Sequence, residues 1–94
     1  MRKYELMFII RTDIEQEVVD ATVEKFLNIV QNGGEVEKKD VIGKKRLAYE
    51  IEKHRDGIFV LFNFTASPEV VTELDRVLKI SDEVIRHLIV KDVA

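Results

Sequence analysis

Few residues in this chain have the type and spacing that chemistry needs. The two histidines are His54, in a predicted turn, and His87, in a predicted strand. Neither stands at a motif spacing from a serine or acid that would make a nucleophile–base pair, and Arg86 beside His87 disfavours an imidazolium or a bound cation. Both read as ordinary surface or packing histidines. Carboxylates pair at Glu35/Glu37, Glu50/Glu52 and Asp82/Glu83, but lysines interleave or flank them, which makes a solvated edge the better account. There is no cysteine, so thiolate zinc, iron–sulfur ligation, disulfides and cysteine nucleophiles are all excluded. Asn32-Gly33-Gly34 ends a predicted helix, whereas a phosphate-cradling loop begins one. No catalytic residue, metal site, cofactor or small-molecule substrate is expected.

Two stretches carry binding chemistry instead. Gly43-Lys44-Lys45-Arg46-Leu47-Ala48-Tyr49 puts three consecutive cations at a break in a strand, between hydrophobes that would hold them in place for phosphate contact. Such a run also serves on edge strands as a solubility device. The second stretch, Arg55-Asp56-Gly57-Ile58-Phe59-Val60-Leu61-Phe62, matches an RNA-recognition strand at Arg55, Phe59, Val60 and Phe62 but fails at the glycine and first aromatic. Base stacking also needs an outward ring on the neighbouring central strand, where Tyr4 and Phe8 share the core parity.

The charge balance appears to oppose a polyanion partner: 15 Lys/Arg stand against 18 Asp/Glu, for a net −3. However, residues 12–32 hold five of the acids (Asp13, Glu15, Glu17, Asp20, Glu24) and one base, Lys25; the remainder has fourteen bases against thirteen acids. The acidity belongs to one element.

The elements follow from periodicity. Tyr4, Leu6, Phe8 and Ile10 alternate as a strand. Thr12 or Asp13 is the expected cap of a long helix with the apolar stripe Ile14, Val18, Val19, Val23, Phe26, Leu27 and Val30, closed by glycines able to take a left-handed turn. The acids fall off that stripe. Residues 35–53 read as a long strand broken by a bulge near Gly43. His54-Arg55-Asp56-Gly57 is expected to be a hairpin turn, Asp-Gly being favoured where φ is positive. Residues 58–65 follow as a nearly all-apolar strand. Ser67-Pro68-Glu69 starts a second helix and residues 84–91 form the last strand.

With 94 residues, the chain is expected to be a single domain, residues 1–94. Its order is that of an α+β, ferredoxin-like split βαβ fold (βαββαβ), a four-stranded antiparallel sheet with two helices on one face. Among small enzymes of this shape an acyl-phosphate site would want arginine and glycines after the first strand; Arg11-Thr12-Asp13-Ile14 has no glycine and sets a carboxylate there. The other sheet face is expected to be open and to present Met7, Ile9, Phe59 and Leu61 as a patch for a partner. The absence of cysteine, of a signal-like start and of any apolar run near ~20 residues points to a cytoplasmic chain with no membrane contact.

The run Gly-Lys-Lys-Arg-Leu-Ala-Tyr-x-Ile at 43–51 also resembles the signature of the bacterial small-subunit ribosomal protein six family. The resemblance extends to Arg2-Lys3-Tyr4-Glu5, the Gly-Gly helix end, Asp56-Gly57 and Lys79-Ile80-Ser81-Asp82-Glu83-Val84-Ile85-Arg86-His87. Ile42 departs from it, since many members carry tryptophan there. The resemblance implies a ribonucleoprotein constituent of the small ribosomal subunit. Such a protein binds the central domain of small-subunit ribosomal RNA as a heterodimer with ribosomal protein eighteen and catalyses nothing. The expected RNA contacts are Arg2, Lys3, Lys44, Lys45 and Arg46, with Arg86 and Lys91 on the last strand; the open face is expected to meet the protein partner. The alternative is an independent RRM-like single-stranded RNA module that stacks bases on Phe59.

Overall fold

The structure, a computed structural model, describes residues 1–51 and 53–91. The elements run β1 (Arg2–Ile10), α1 (Gln16–Gln31), β2 (Gly34–Ile51), β3 (His54–Ala66), α2 (Pro68–Ile80) and β4 (Val84–Lys91). They form one four-stranded sheet in the order β2-β3-β1-β4, with every pairing antiparallel. This is the expected ferredoxin-like split βαβ arrangement.

Alternation becomes burial. Leu6, Phe8 and Ile10 of β1 and Val60, Phe62 and Phe64 of β3 are fully buried under the helices, because Leu6↔Phe62 and Phe8↔Val60 are directly paired and so share a face. Phe8 meets Phe26 of α1 and Phe62 edge-on, with ring centroids 5.2 and 5.4 Å apart, a preferred aromatic geometry. From α1 the core takes Val19, Val23, Phe26 and Val30, and from α2 Leu74 and Leu78. Glu15, Glu17, Asp20 and Glu24 are exposed, as their place off the stripe requires.

Three local expectations give way to tertiary partners. Helix α1 starts at Gln16 with Glu15 at its cap and no side-chain capping bond, not at Thr12 or Asp13. The Asp13 carboxylate is taken by the Arg11 guanidinium at 2.6 and 2.8 Å, and the Thr12 hydroxyl donates to Asp56 at 2.8 Å. The glycines after α1 do not turn left-handed. Gly34 is needed because a Cβ there would lie 2.4 Å from the carbonyl oxygen of Thr65 as β2 joins β3.

The hairpin does not reverse at His54–Gly57 either. Ile51 pairs with His54, Lys53 carries the positive φ of 69°, and Asp56 and Gly57 lie within β3. A Cβ on Gly57 would sit 2.2 Å from Cγ2 of Ile9, so this glycine serves a close approach of strands.

The predicted break is where the sequence reading put it. The β2–β3 register shifts between Val41 and Gly43, leaving Ile42 as the extra residue, exposed, and Gly43 at φ 107°. Past this bulge, β1 has ended opposite Ile58, and β2 and β3 continue alone as a two-stranded arm, residues 43–51 and 53–57.

The element order alone implies that this face is left bare by the chain's own elements; the arm partly covers it. On the outer edge strand β4, the Arg86 guanidinium donates to the Tyr49 hydroxyl of the arm at 3.1 Å, so the arm curls across the sheet from one edge toward the other. Ile9 is only 7% exposed, and Met7, Phe59 and Leu61 are half-buried. The most exposed apolar side chains of that face are Leu88 and Val90, whose partners Met7 and Glu5 fix their side of the sheet. His87 points the other way. Its Nε2 lies 2.8 Å from Asp75 Oδ1 on α2, a tie between helix and edge strand rather than a surface histidine.

Candidate nucleic-acid interface

The arm gathers the cations. Lys44, Lys45 and Arg46 are all exposed, and their cross-strand partners Ile58, Gly57 and Asp56 bring Arg55 beside them. Lys44, Lys45, Arg46, Arg55 and Asp56 line one open cleft. In the sequence Arg55 stands in the expected hairpin turn and in the RNA-recognition match, and not among the expected RNA contacts. It is the cation that the Lys-Lys-Arg run omits, and the signal that would have found it is the true position of the turn.

The electrostatics of the cleft are local. Lys44 Nζ lies 3.4 Å from Asp56 Oδ2, and Arg55 Nε lies 3.7 Å from Glu50 Oε2 with both side chains well exposed. Among the described residues, Lys45 and Arg46 form no ion pair. None of the α1 acids pairs with an arm cation; Asp20 accepts from Gln16 on its own helix. The Thr12 hydrogen bond, outweighing partial desolvation and helped by Lys44, holds the Asp56 carboxyl below the usual carboxylate range. Asp56 is thus an ionised, anchored member of the cleft.

The other expected contacts are scattered. Arg2 and Lys3 pair with Ala66 and Thr65, while Lys45 pairs with Gly57. Nine strand residues, about 30 Å, separate those points along β3. Lys91 lies at the Arg2 end, opposite Tyr4, and Arg86 is opposite Ile9 near the arm. The seven residues therefore form no single patch.

As a stacking platform the sheet is poor. Phe59 is half-buried and its β1 neighbour on that face is Ile9. Tyr4 instead stacks on Phe64, centroids 5.7 Å apart, on the helix side. Reaction chemistry is equally thin. Glu37 accepts from Thr65, the Glu50/Glu52 pairing lies partly outside the described residues, and no group of His, Asp and Glu fit for a metal occurs among those described. No helix among them is long and apolar enough to cross a membrane.

Fold and site together define a ferredoxin-like module that offers a cationic arm and a partly covered apolar sheet face. The sequence model of the ribosomal protein S6 family matches residues 3–91. The small ribosomal subunit protein bS6 of Desulforamulus reducens is 50% identical over 93 residues, covering 98% of each chain. That of Moorella thermoacetica is 52% identical over 92 residues, covering 97% of this chain and 94% of its own. The crystal structure of 30S ribosomal protein S6 from Thermotoga maritima superposes with a TM-score of 0.92 at 28% identity, covering 97% of this chain and 87% of that one. The chain belongs to the ribosomal protein S6 family, structural proteins of the small subunit of the cytoplasmic ribosome.

Proposed function

We propose that this chain binds the central domain of small-subunit ribosomal RNA as a heterodimer with ribosomal protein eighteen, through the arm, and that it catalyses no reaction. The observation that carries the RNA contact is the isolation of the arm's cations from the acids of α1. Lys45 and Arg46 pair with no carboxylate among the described residues, so the acids behind the net charge of −3 do not neutralise them locally, where a phosphate would dock. That same net charge makes the chain a weak polyanion ligand alone and favours a basic partner. Met7, Phe59 and Leu61, with Leu88 and Val90, offer that partner an apolar strip; Ile9, buried by its own chain, adds little. Arg2, Lys3 and Lys91 would reach RNA only at the far end of the sheet.

Salt titration of binding to a central-domain RNA fragment, with the partner protein present, tests the arm. Each lost phosphate contact flattens the slope of log affinity against log salt by about 0.7–0.9. Replacing Lys45 and Arg46 together by alanine should therefore flatten it by about 1.5; an unchanged slope would mean that the arm does not meet RNA.

A further inference from the structure

Asp56 stands among the arm's cations with two partners, one on each oxygen. Its Oδ1 accepts from the Thr12 hydroxyl at 2.8 Å, and its Oδ2 lies 3.4 Å from Lys44 Nζ. Thr12 belongs to the loop between β1 and α1, forty-four residues away in sequence, so the carboxylate is tethered to the body of the protein. A phosphate that approached Lys44 would meet a fixed negative charge at nearly the same distance, and the attraction of one would be offset by the repulsion of the other.

The remaining cations are placed differently. Lys45 and Arg46 have no ion-pair partner among the described residues, although Arg46 is directly opposite Asp56 in register. Arg55 has Glu50 at 3.7 Å, with the two side chains 80% and 49% exposed; Lys44 is itself 66% exposed, but its partner Asp56 is 37% exposed and is held by Thr12, an anchor Glu50 lacks among the described residues. An ion pair as open as that of Arg55 contributes little and is easily exchanged for a phosphate, to which a guanidinium can donate two parallel hydrogen bonds.

We propose that Asp56 sorts the arm's cations: it keeps Lys44 within the protein's own ion pair and leaves phosphate contact to Lys45, Arg46 and Arg55. This rests on the arm being the RNA-facing surface. Arg55 thereby becomes a contact residue that the Lys-Lys-Arg run does not contain, and Lys44 ceases to be one. The arrangement also moves the centre of the contact toward β3.

Three single variants test the sorting in the same salt titration, with RNA fragment and partner protein present. Arg55→Ala should flatten the slope by about 0.7–0.9, whereas Lys44→Ala should leave it unchanged. Asp56→Asn keeps an oxygen for Thr12 but frees Lys44, so binding should tighten and the slope steepen by about one contact, 0.7–0.9. Equal flattening by Lys44→Ala and Arg55→Ala would overturn the sorting, as would weaker binding by Asp56→Asn, which would make Asp56 a positioning residue. Thermal melting of Asp56→Asn without RNA separates a binding effect from lost folding; Thr12→Val, which removes the tether that fixes the carboxylate, should steepen the slope part of the way toward that of Asp56→Asn, and an unchanged slope would overturn the role of the tether. If the Lys45/Arg46 double variant already leaves the slope untouched, the arm itself is not the RNA surface; if only the single variants misbehave, the arm stands and the sorting falls.

Discussion

The two halves of the β2–β3 hairpin are made of the same strands and held by different forces. Within the sheet, β3 is covered by helices: Val60, Phe62, Phe64 and Ala66 have no exposed surface. Beyond Gly43 the same pair of strands carries cations in solvent and is attached at discrete points. These are Thr12 to Asp56 near its base, Ile9 packed against Gly57, and Arg86 to Tyr49 farther out. The body is ordered by burial, which is non-directional and cumulative. The arm is attached to the body by one packing contact and two directional side-chain bonds, each bond worth about 0.5–1.5 kcal/mol. A surface that must exchange partners is better served by the second kind of order, since few contacts must be broken to adjust it.

The largest effect should come from the body. Phe62→Ala removes a fully buried ring that packs on Phe8 and should cost about 3–5 kcal/mol. Chemical denaturation should show it as a shifted midpoint, and the arm should lose its amide protection in the same transition. Survival of arm protection after the body has melted would break the comparison from one side.

A smaller effect should follow from Gly43→Ala. Nothing lies within 4 Å of a Cβ placed there, so the cost is backbone strain at φ 107° alone, about 1–3 kcal/mol. Hydrogen exchange should rise in residues 43–51 and 53–57 more than in β1 or α1. A uniform rise would show that bulge and body open as one unit.

The smallest effect concerns the helix-to-edge tie. Lys79 first, then His87, hold the Asp75 carboxyl below its ordinary value of 3.8, through contacts at 2.9 and 2.8 Å. A carboxylate with a lowered folded-state pKa stabilises the fold above the ordinary value. That contribution is lost as pH falls through the lowered one. Below about pH 4, Asp75→Asn should therefore lose stability less steeply than the parent chain. Melting temperatures recorded across that range measure the difference, and parallel curves would remove Asp75 from the acid response. Exchange in the arm should not follow this residue.

Much of this architecture was written in local pattern. The alternation of Leu6, Phe8 and Ile10, the stripe from Val19 to Val30, the Ser67-Pro68 helix start and the break at Gly43 each report a period or a backbone need carried by adjacent residues. The Lys44–Arg46 run was equally visible. What tertiary structure decided were choices between partners that neighbours in sequence could not arbitrate. Thr12 could cap a helix or hold Asp56; Asp56-Gly57 could turn a hairpin or pack a strand; β4 could face either way until Phe8 met His87 and Met7 met Leu88. Arg55 joined the basic cleft only because the chain reverses between Ile51 and His54 rather than at Asp56-Gly57. Periodicity encodes which side chains leave water, because burial needs only a face. Which polar group meets which depends on distances that exist only once the sheet has closed and the arm has folded back upon it.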